Sequence, residues 1–351
     1  MREKRVKADI ETVSPESHPP NRFLAHPAAT AVGIVAAIIV VLLIGVEVAL
    51  RGRGLGDPIV YDTDPHYSYR PRPNQTVTRM GGAVVQINNI GIRAGSDWDS
   101  NRDRKVLFIG NSVTYGGSYV SNADLFAVRA VPPTNGWVGG SAGVNGWGVE
   151  NMHALIVRRR FNPAKVYVTV LLKSDFFRGV MPHRPTFPTS KPHLALAEAV
   201  PHVLLRARAR FREMASPFFR SDPGDTLWQD TLRANVDRAV LRLKEMDEYL
   251  VGRGFVHLIY LSPTVDEMRV PDDEGLEEMM VTAGIPFQRI QDASEARNYP
   301  RGRLDSLYLD GYHLSREGHA LWAQVIGKDL RTCGVGGTRP LDCSAVGRYA
   351  K

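Results

Sequence analysis

Three short segments of this chain, 106–109, 166–172 and 255–261, are apolar at nearly every position instead of alternating between apolar and polar residues. A strand with one wet face alternates. A run without alternation is buried on both faces, which is the situation of a central strand in a parallel sheet covered by helices on either side. Between the second and third runs, the stretch 225–251 carries Leu232, Val236, Val240, Leu243 and Met246 at near-helical spacing, an apolar stripe suited to covering one sheet face. The pattern predicts an α/β domain, a three-layer α/β/α sandwich on a mainly parallel sheet. His257, in the middle of the third run, reads as a packed or hydrogen-bonded structural residue.

Two polar motifs sit where such a fold displays reactive groups. Gly110-Asn111-Ser112 follows the first run directly, placing a serine at the carboxyl end of a strand, where open α/β sheets bind ligands. About 200 residues later comes Asp310-Gly311-Tyr312-His313. This spacing lets the Asp310 carboxylate reach the His313 imidazole, fix its tautomer and stabilise the imidazolium formed when it takes the proton of Ser112. Each motif alone has a plain structural alternative: Gly-Asn-Ser serves as a helix N-cap in many α/β proteins. Ser315 is expected to cap the helix that follows, and His319 to be an ordinary member of it.

With these motifs the chain resembles the GDSL/SGNH hydrolase family over roughly residues 105–330. In that family the catalytic serine lies in a Gly-Asp-Ser block and the aspartate and histidine share an Asp-x-x-His block. Ser141-Ala142-Gly143-Val144-Asn145-Gly146 is similar to the family's second block, and Lys173-Ser174-Asp175 falls where its third block reads Gly-x-Asn-Asp. The resemblance implies a flavodoxin-like sheet, Ser112, Asp310 and His313 as catalytic residues, and an oxyanion hole from the backbone N–H groups of Ser112 and Gly146 with Ser174 as third partner. No metal and no organic cofactor is implied. Two departures stand out. Asn111 replaces the block's aspartate, and Ser174 replaces the oxyanion-binding asparagine, so that Asn111, Asn145 and Asp175 become accessory candidates, Asn145 as a source of the missing amide.

What flanks the domain bears on location. Residues 28–46 carry no charge and are long enough, at about 1.5 Å per residue, nearly to cross a hydrocarbon layer of about 30 Å. The expectation is one uncleaved transmembrane helix over 28–50, in preference to a signal peptide. Arg2, Lys4, Arg5, Lys7 and Arg22 precede it, which puts the N-terminal tail 1–27 in the cytoplasm and the catalytic domain outside. Residues 51–104, with pieces such as Ala83-Val84-Val85-Gln86-Ile87, read as a β-structured lead-in to a hydrolase domain at 105–332. Cys333 and Cys343, the only cysteines, lie in the tail 333–351, where an oxidising compartment would pair them.

The insert 176–220 holds eight Lys or Arg against two acidic residues, so its excess of six nearly equals the chain's formal net charge of +7. Helix-forming pieces at 195–200 and 204–212 follow a Pro-rich run. Such an insert is a solvated face, a surface for anionic lipid headgroups, or a rim attracting an acidic polysaccharide. Nucleic acid is disfavoured by the expected compartment. The sequence therefore points to a membrane-anchored extracytoplasmic serine esterase or O-acyltransferase whose partner is an acylated glycan or other ester. A lysophospholipase, and a catalytically weak glycan-binding assembly protein, are the alternatives.

Overall fold

A computed structural model describes residues 26–215, 226–270 and 275–346. Residues 1–25 (within the expected N-terminal tail), 216–225 (at the end of the insert region), 271–274 and 347–351 lie outside the described residues. The chain divides into two compact units, Met1–Ala49 and Leu50–Lys351. The first unit contributes most of helix α1 (Pro27–Gly52), which is long and apolar enough to cross a membrane and buries none of its residues. It carries no acidic group until Glu47, and Arg51 stands in its last turn.

The second unit is built on an eight-stranded sheet. A small antiparallel hairpin, β1 (Tyr61–Asp64) with β2 (Ser68–Pro71), precedes it. The sheet strands are β3 (Gln75–Thr78), β4 (Val84–Ile87), β5 (Arg93–Ala94), β6 (Lys105–Gly110), β7 (Val138–Ser141), β8 (Val166–Leu171), β9 (Val256–Leu261) and β10 (Gln288–Arg289). Their order across the sheet is β10-β9-β8-β6-β7-β5-β4-β3. The five strands from β6 onward are parallel to one another and, counted from β6, run 2-1-3-4-5, the flavodoxin-like order. The chain leaves β6 for β7 on one side and then returns to β8 on the other, so the crevice at the topological switch opens at the carboxyl end of β6.

The segment before β6 extends this sheet. β5 pairs antiparallel with β7, and β4 and β3 continue outward from it. A buried arginine fastens this extension. Arg93, on β5, donates to the carbonyls of Tyr115 (2.7 Å), Gly117 (2.6 Å) and Val120 (2.6 Å) and to Asn122 Oδ1 (3.1 Å). Burial pulls its pKa below the usual guanidinium value, but the carbonyl dipoles satisfy its donors without a carboxylate partner.

Side-chain alternation along the central strands divides the core into two layers. Leu107 and Ile109 of β6 face α2 (Val149–His153), α3 (Thr226–Val251) and α4 (Leu276–Thr282), packing with Met152, Leu243 and Met280. Val106 and Phe108 face the opposite layer, where α5 (Phe126–Arg129) and α6 (Arg316–Thr332) bring Phe126, Trp322 and Ile326. All of these side chains are buried, and each contributes about 1.5–3 kcal/mol by leaving water. Cys333 and Cys343 are joined by a disulfide and sit at the margin of the second layer. The insert forms one helix, α7 (Ala195–Ala215), instead of two pieces, with Pro201 inside it. Proline removes a single backbone hydrogen bond there, and the helix continues through it.

Candidate active site

Ser112 opens a one-turn helix, α8 (Ser112–Tyr115), immediately after β6. Gly110 makes the turn possible, because a Cβ at that position would lie 2.1 Å from Thr114 Oγ1 and 2.6 Å from the Val170 carbonyl. Asn111 accepts the Val113 N–H through Oδ1 at 2.8 Å, capping the turn. The serine is thereby held half-buried at the switch point.

Asp310 and His313 arrive on a loop closed by an isolated antiparallel bridge between Tyr308 and Leu314. Leu309 donates to the His313 carbonyl (2.8 Å), Val265 donates to the Gly311 carbonyl (2.8 Å), and the Tyr308 hydroxyl donates to the Pro263 carbonyl (2.8 Å) at the end of β9. Ser315 then caps α6 by accepting the Gly318 N–H at 3.2 Å. So anchored, the loop places His313 Nε2 2.9 Å from Ser112 Oγ and His313 Nδ1 2.7 Å from Asp310 Oδ2. Asp310 Oδ1 also accepts the His313 backbone N–H at 3.0 Å. Partial burial raises the Asp310 carboxyl, but the hydrogen bonds and charge of His313 outweigh it and hold the group below the usual carboxylate range. The carboxylate therefore stays charged and requires the proton on Nδ1, which leaves Nε2 with its lone pair toward the serine.

Gly146 lies in a loop with φ +82°, in the left-handed region, and a Cβ there would meet the Tyr69 hydroxyl at 3.1 Å. Tyr69, from β2, donates to the Asn145 carbonyl at 2.7 Å and stacks on Phe187 with ring centroids 5.0 Å apart. The backbone N–H groups of Ser112 and Gly146 have no protein acceptor among the described residues. Asn145 Oδ1 is buried without a partner, and its backbone carbonyl is committed to Tyr69.

The two departures from the family pattern belong to one network. Asp175 is fully buried and accepts Asn111 Nδ2 (2.6 Å), the Leu172 N–H (2.9 Å) and Arg178 Nη1 (3.0 Å). Burial raises its carboxyl to about 6, against the opposing pull of Arg178 and the two hydrogen bonds. Arg178 Nη2 donates to Ser174 Oγ at 3.2 Å, so the serine hydroxyl accepts from the guanidinium and keeps its own proton available to donate. Residue 111 thus faces a buried carboxylate. An amide donates there, whereas a second carboxylate could not.

Among the residues the sequence singled out, Ser112, Asp310 and His313 come together, Asn111 and Asp175 meet behind them, and Ser174 joins through Arg178. His319 is buried against Phe126, with rings 5.5 Å apart, and burial lowers its pKa to about 3, so it remains neutral and outside the site. His257 hydrogen-bonds Thr169 (2.8 Å) and Asp247 (2.8 Å) within the core. Sequence reasoning missed Tyr69, Arg93, Arg178 and Tyr312. The Tyr312 ring lies 4.2 Å from the His313 ring and is 41% exposed. Only Arg178 had a local signal, its i+3 spacing from Asp175.

No protein-family model and no curated protein sequence matches the chain. Among solved structures it is similar to a catalytic mutant of Axe2, an acetylxylan esterase from Geobacillus stearothermophilus, at 15% identity and a TM-score of 0.35, covering 66% of this chain and 95% of that one. A second catalytic mutant of the same esterase gives 15% identity and a TM-score of 0.36, covering 70% of this chain and 99% of that one. Similarity at this level assigns neither an activity nor a substrate to this chain.

Proposed function

We propose that this chain is a membrane-anchored serine esterase or O-acyltransferase that takes an acetyl or other short acyl group from a glycan hydroxyl. The observation that carries this reading is the continuous line Asp310–His313–Ser112, with separations of 2.7 and 2.9 Å. His313 Nε2 takes the proton of Ser112 Oγ as the oxygen attacks the ester carbonyl. The oxyanion then meets the N–H groups of Ser112 and Gly146, with the Ser174 hydroxyl as third donor. As the tetrahedral adduct collapses, the C–O bond to the sugar breaks and its oxygen leaves with the proton held on His313. Water, or a second sugar hydroxyl, then attacks the acyl-Ser112 ester while His313 again takes a proton, which returns to Ser112. Water gives a deacetylase and a sugar hydroxyl gives a transferase.

Polar and aromatic groups near the triad favour a glycan over a lipid chain as substrate: Arg178 donates to Ser174 Oγ, and the exposed Tyr312 ring stands beside His313. A half-exposed aromatic ring offers an apolar face to a sugar ring and a hydroxyl to its edge. We place α1 across the membrane with its basic N-terminal side in the cytoplasm and the disulfide-containing domain outside.

The test is hydrolysis of p-nitrophenyl acetate, butyrate and decanoate by the full-length protein in detergent, beside Ser112→Ala. Turnover greatest with acetate and lost in the variant is the expected result. A Ser112-dependent preference for decanoate would favour the lipid esterase, and turnover indifferent to Ser112 would refute the mechanism.

A further inference from the structure

Helix α7 is held in its first turn, and several apolar side chains of the turns that follow are exposed. Its first turn is clamped: Glu198 pairs with Arg79 through both carboxylate oxygens, and Oε2 also accepts the Gly56 N–H at 2.6 Å. Arg79 in turn donates to the Gly54 carbonyl at 2.7 Å. Both side chains of the pair are buried, at 7% and 6% exposure, and Ala195 is buried beside Gly56. A buried ion pair held by several hydrogen bonds fixes geometry closely even where it adds little net stability, and here both terminal nitrogens of Arg79 are engaged while Nε has no partner among the described residues. The clamp therefore sets where α7 begins with respect to Gly54 and Gly56.

Those glycines follow closely on the end of α1 at Gly52. Four residues span at most about 14 Å, so wherever α1 leaves a bilayer, the start of α7 stays close to that bilayer's surface. Beyond the clamp, Val200, Val203, Leu204 and Ala207 are exposed, the first three at 44%, 62% and 54%. At about 100° per residue they share a stripe roughly 100° wide, with His202 nearly opposite. Exposed Arg208 borders the stripe, and the same helix carries Arg206, Arg210 and Arg212 in its sequence. An apolar stripe within an arginine-rich helix suits the headgroup layer of an anionic bilayer, where the stripe enters the acyl boundary and the guanidiniums meet lipid phosphates.

We infer that the Val200–Leu204 face of α7 lies in the interface of an anionic membrane, giving the domain a second contact beside its anchor and holding the catalytic mouth at a fixed height above the bilayer. This inference rests on α1 crossing the membrane. Two points of attachment would limit the orientation of the domain on the bilayer more than the anchor alone.

The experiment uses the full-length protein reconstituted into phosphatidylcholine vesicles with or without phosphatidylglycerol. Because both native cysteines are in the disulfide, one introduced cysteine is the only free thiol. An environment-sensitive fluorophore is placed in turn by Val40→Cys, Leu204→Cys and His202→Cys, and is quenched by aqueous iodide or by doxyl-labelled lipid. The expected result is lipid quenching at positions 40 and 204, loss of iodide quenching at 204 but not at 202, and weakening of the effect at 204 when phosphatidylglycerol is omitted or when Arg206, Arg208, Arg210 and Arg212 are changed to glutamine. Iodide access at 204 with lipid quenching intact at 40 overturns the inference and leaves the anchor standing. Protection of 204 from both quenchers overturns it in favour of a protein occupant, and absence of lipid quenching at 40 removes the anchor and the inference together.

Discussion

Replacing Asn111 with aspartate restores the residue of the Gly-Asp-Ser pattern, and the structure predicts that this apparent repair is harmful. The Asn111 amide donates to the buried Asp175 carboxylate at 2.6 Å. A carboxylate in its place puts two like charges at that distance, a repulsion of about 6 kcal/mol at an effective dielectric constant of about 20. The pair avoids it by keeping one proton, which then donates between the two carboxyls. The Asp175 carboxyl already sits at about 6. Retaining a proton on such a group costs about 1.4 kcal/mol for each pH unit above that value, hence about 3 kcal/mol near pH 8, less than the repulsion avoided. Asn111→Asp should therefore match the parent in denaturant unfolding near pH 5 and fall below it by about 3 kcal/mol near pH 8. Equal stability of the two proteins at both pH values, or a variant that gains stability as pH rises, would refute the reasoning.

Asp175 also gives the parent chain a pH dependence of fixed sign. Its folded-state pKa is raised from 3.8 to about 6, so between those values the folded state holds a proton that the unfolded state has released. Stability then declines as pH rises through that window, by about 3 kcal/mol in all, and Asp175→Asn should flatten the decline in urea unfolding measured across it. Arg93→Met leaves the carbonyls of Tyr115, Gly117 and Val120 without their donor and should cost about 3–5 kcal/mol, read as a lower denaturation midpoint with an unchanged slope. Gly146→Ala forces a Cβ into the left-handed region at about 1–2 kcal/mol and against the Tyr69 hydroxyl. It should lower kcat more than it raises KM, and a KM effect alone would argue against Gly146 as an oxyanion donor.

How much of this was legible before the structure depended on distance along the chain. The central strands, the turn at Ser112 and the Asp310–His313 pair are each decided within a few residues, by apolar runs, by a glycine and by i+3 spacing. Partners separated by long stretches were not legible. Tyr69 meets the Asn145 carbonyl across 76 residues, and Arg93 reaches the Ser112 turn only because β5 joins the sheet edge beyond β7. Asn111 and Ser174 looked like two independent losses. The chain brings them into one network because β6 and β8 are neighbours, so the turns at their carboxyl ends adjoin and Asp175 and Arg178 bridge them. The pieces expected at 195–200 and 204–212 form one helix, because the one hydrogen bond missing at Pro201 does not end a 21-residue helix.

The central claim is that Ser112 is a nucleophile activated by His313. The most direct measurement is intact-protein and peptide mass spectrometry after exposure of the full-length protein to a fluorophosphonate, compared with Ser112→Ala and His313→Ala. The account predicts one covalent adduct, located on Ser112, absent in the first variant and formed far more slowly in the second. A folded protein that stays unmodified, or one labelled at another residue at an undiminished rate in Ser112→Ala, would contradict it.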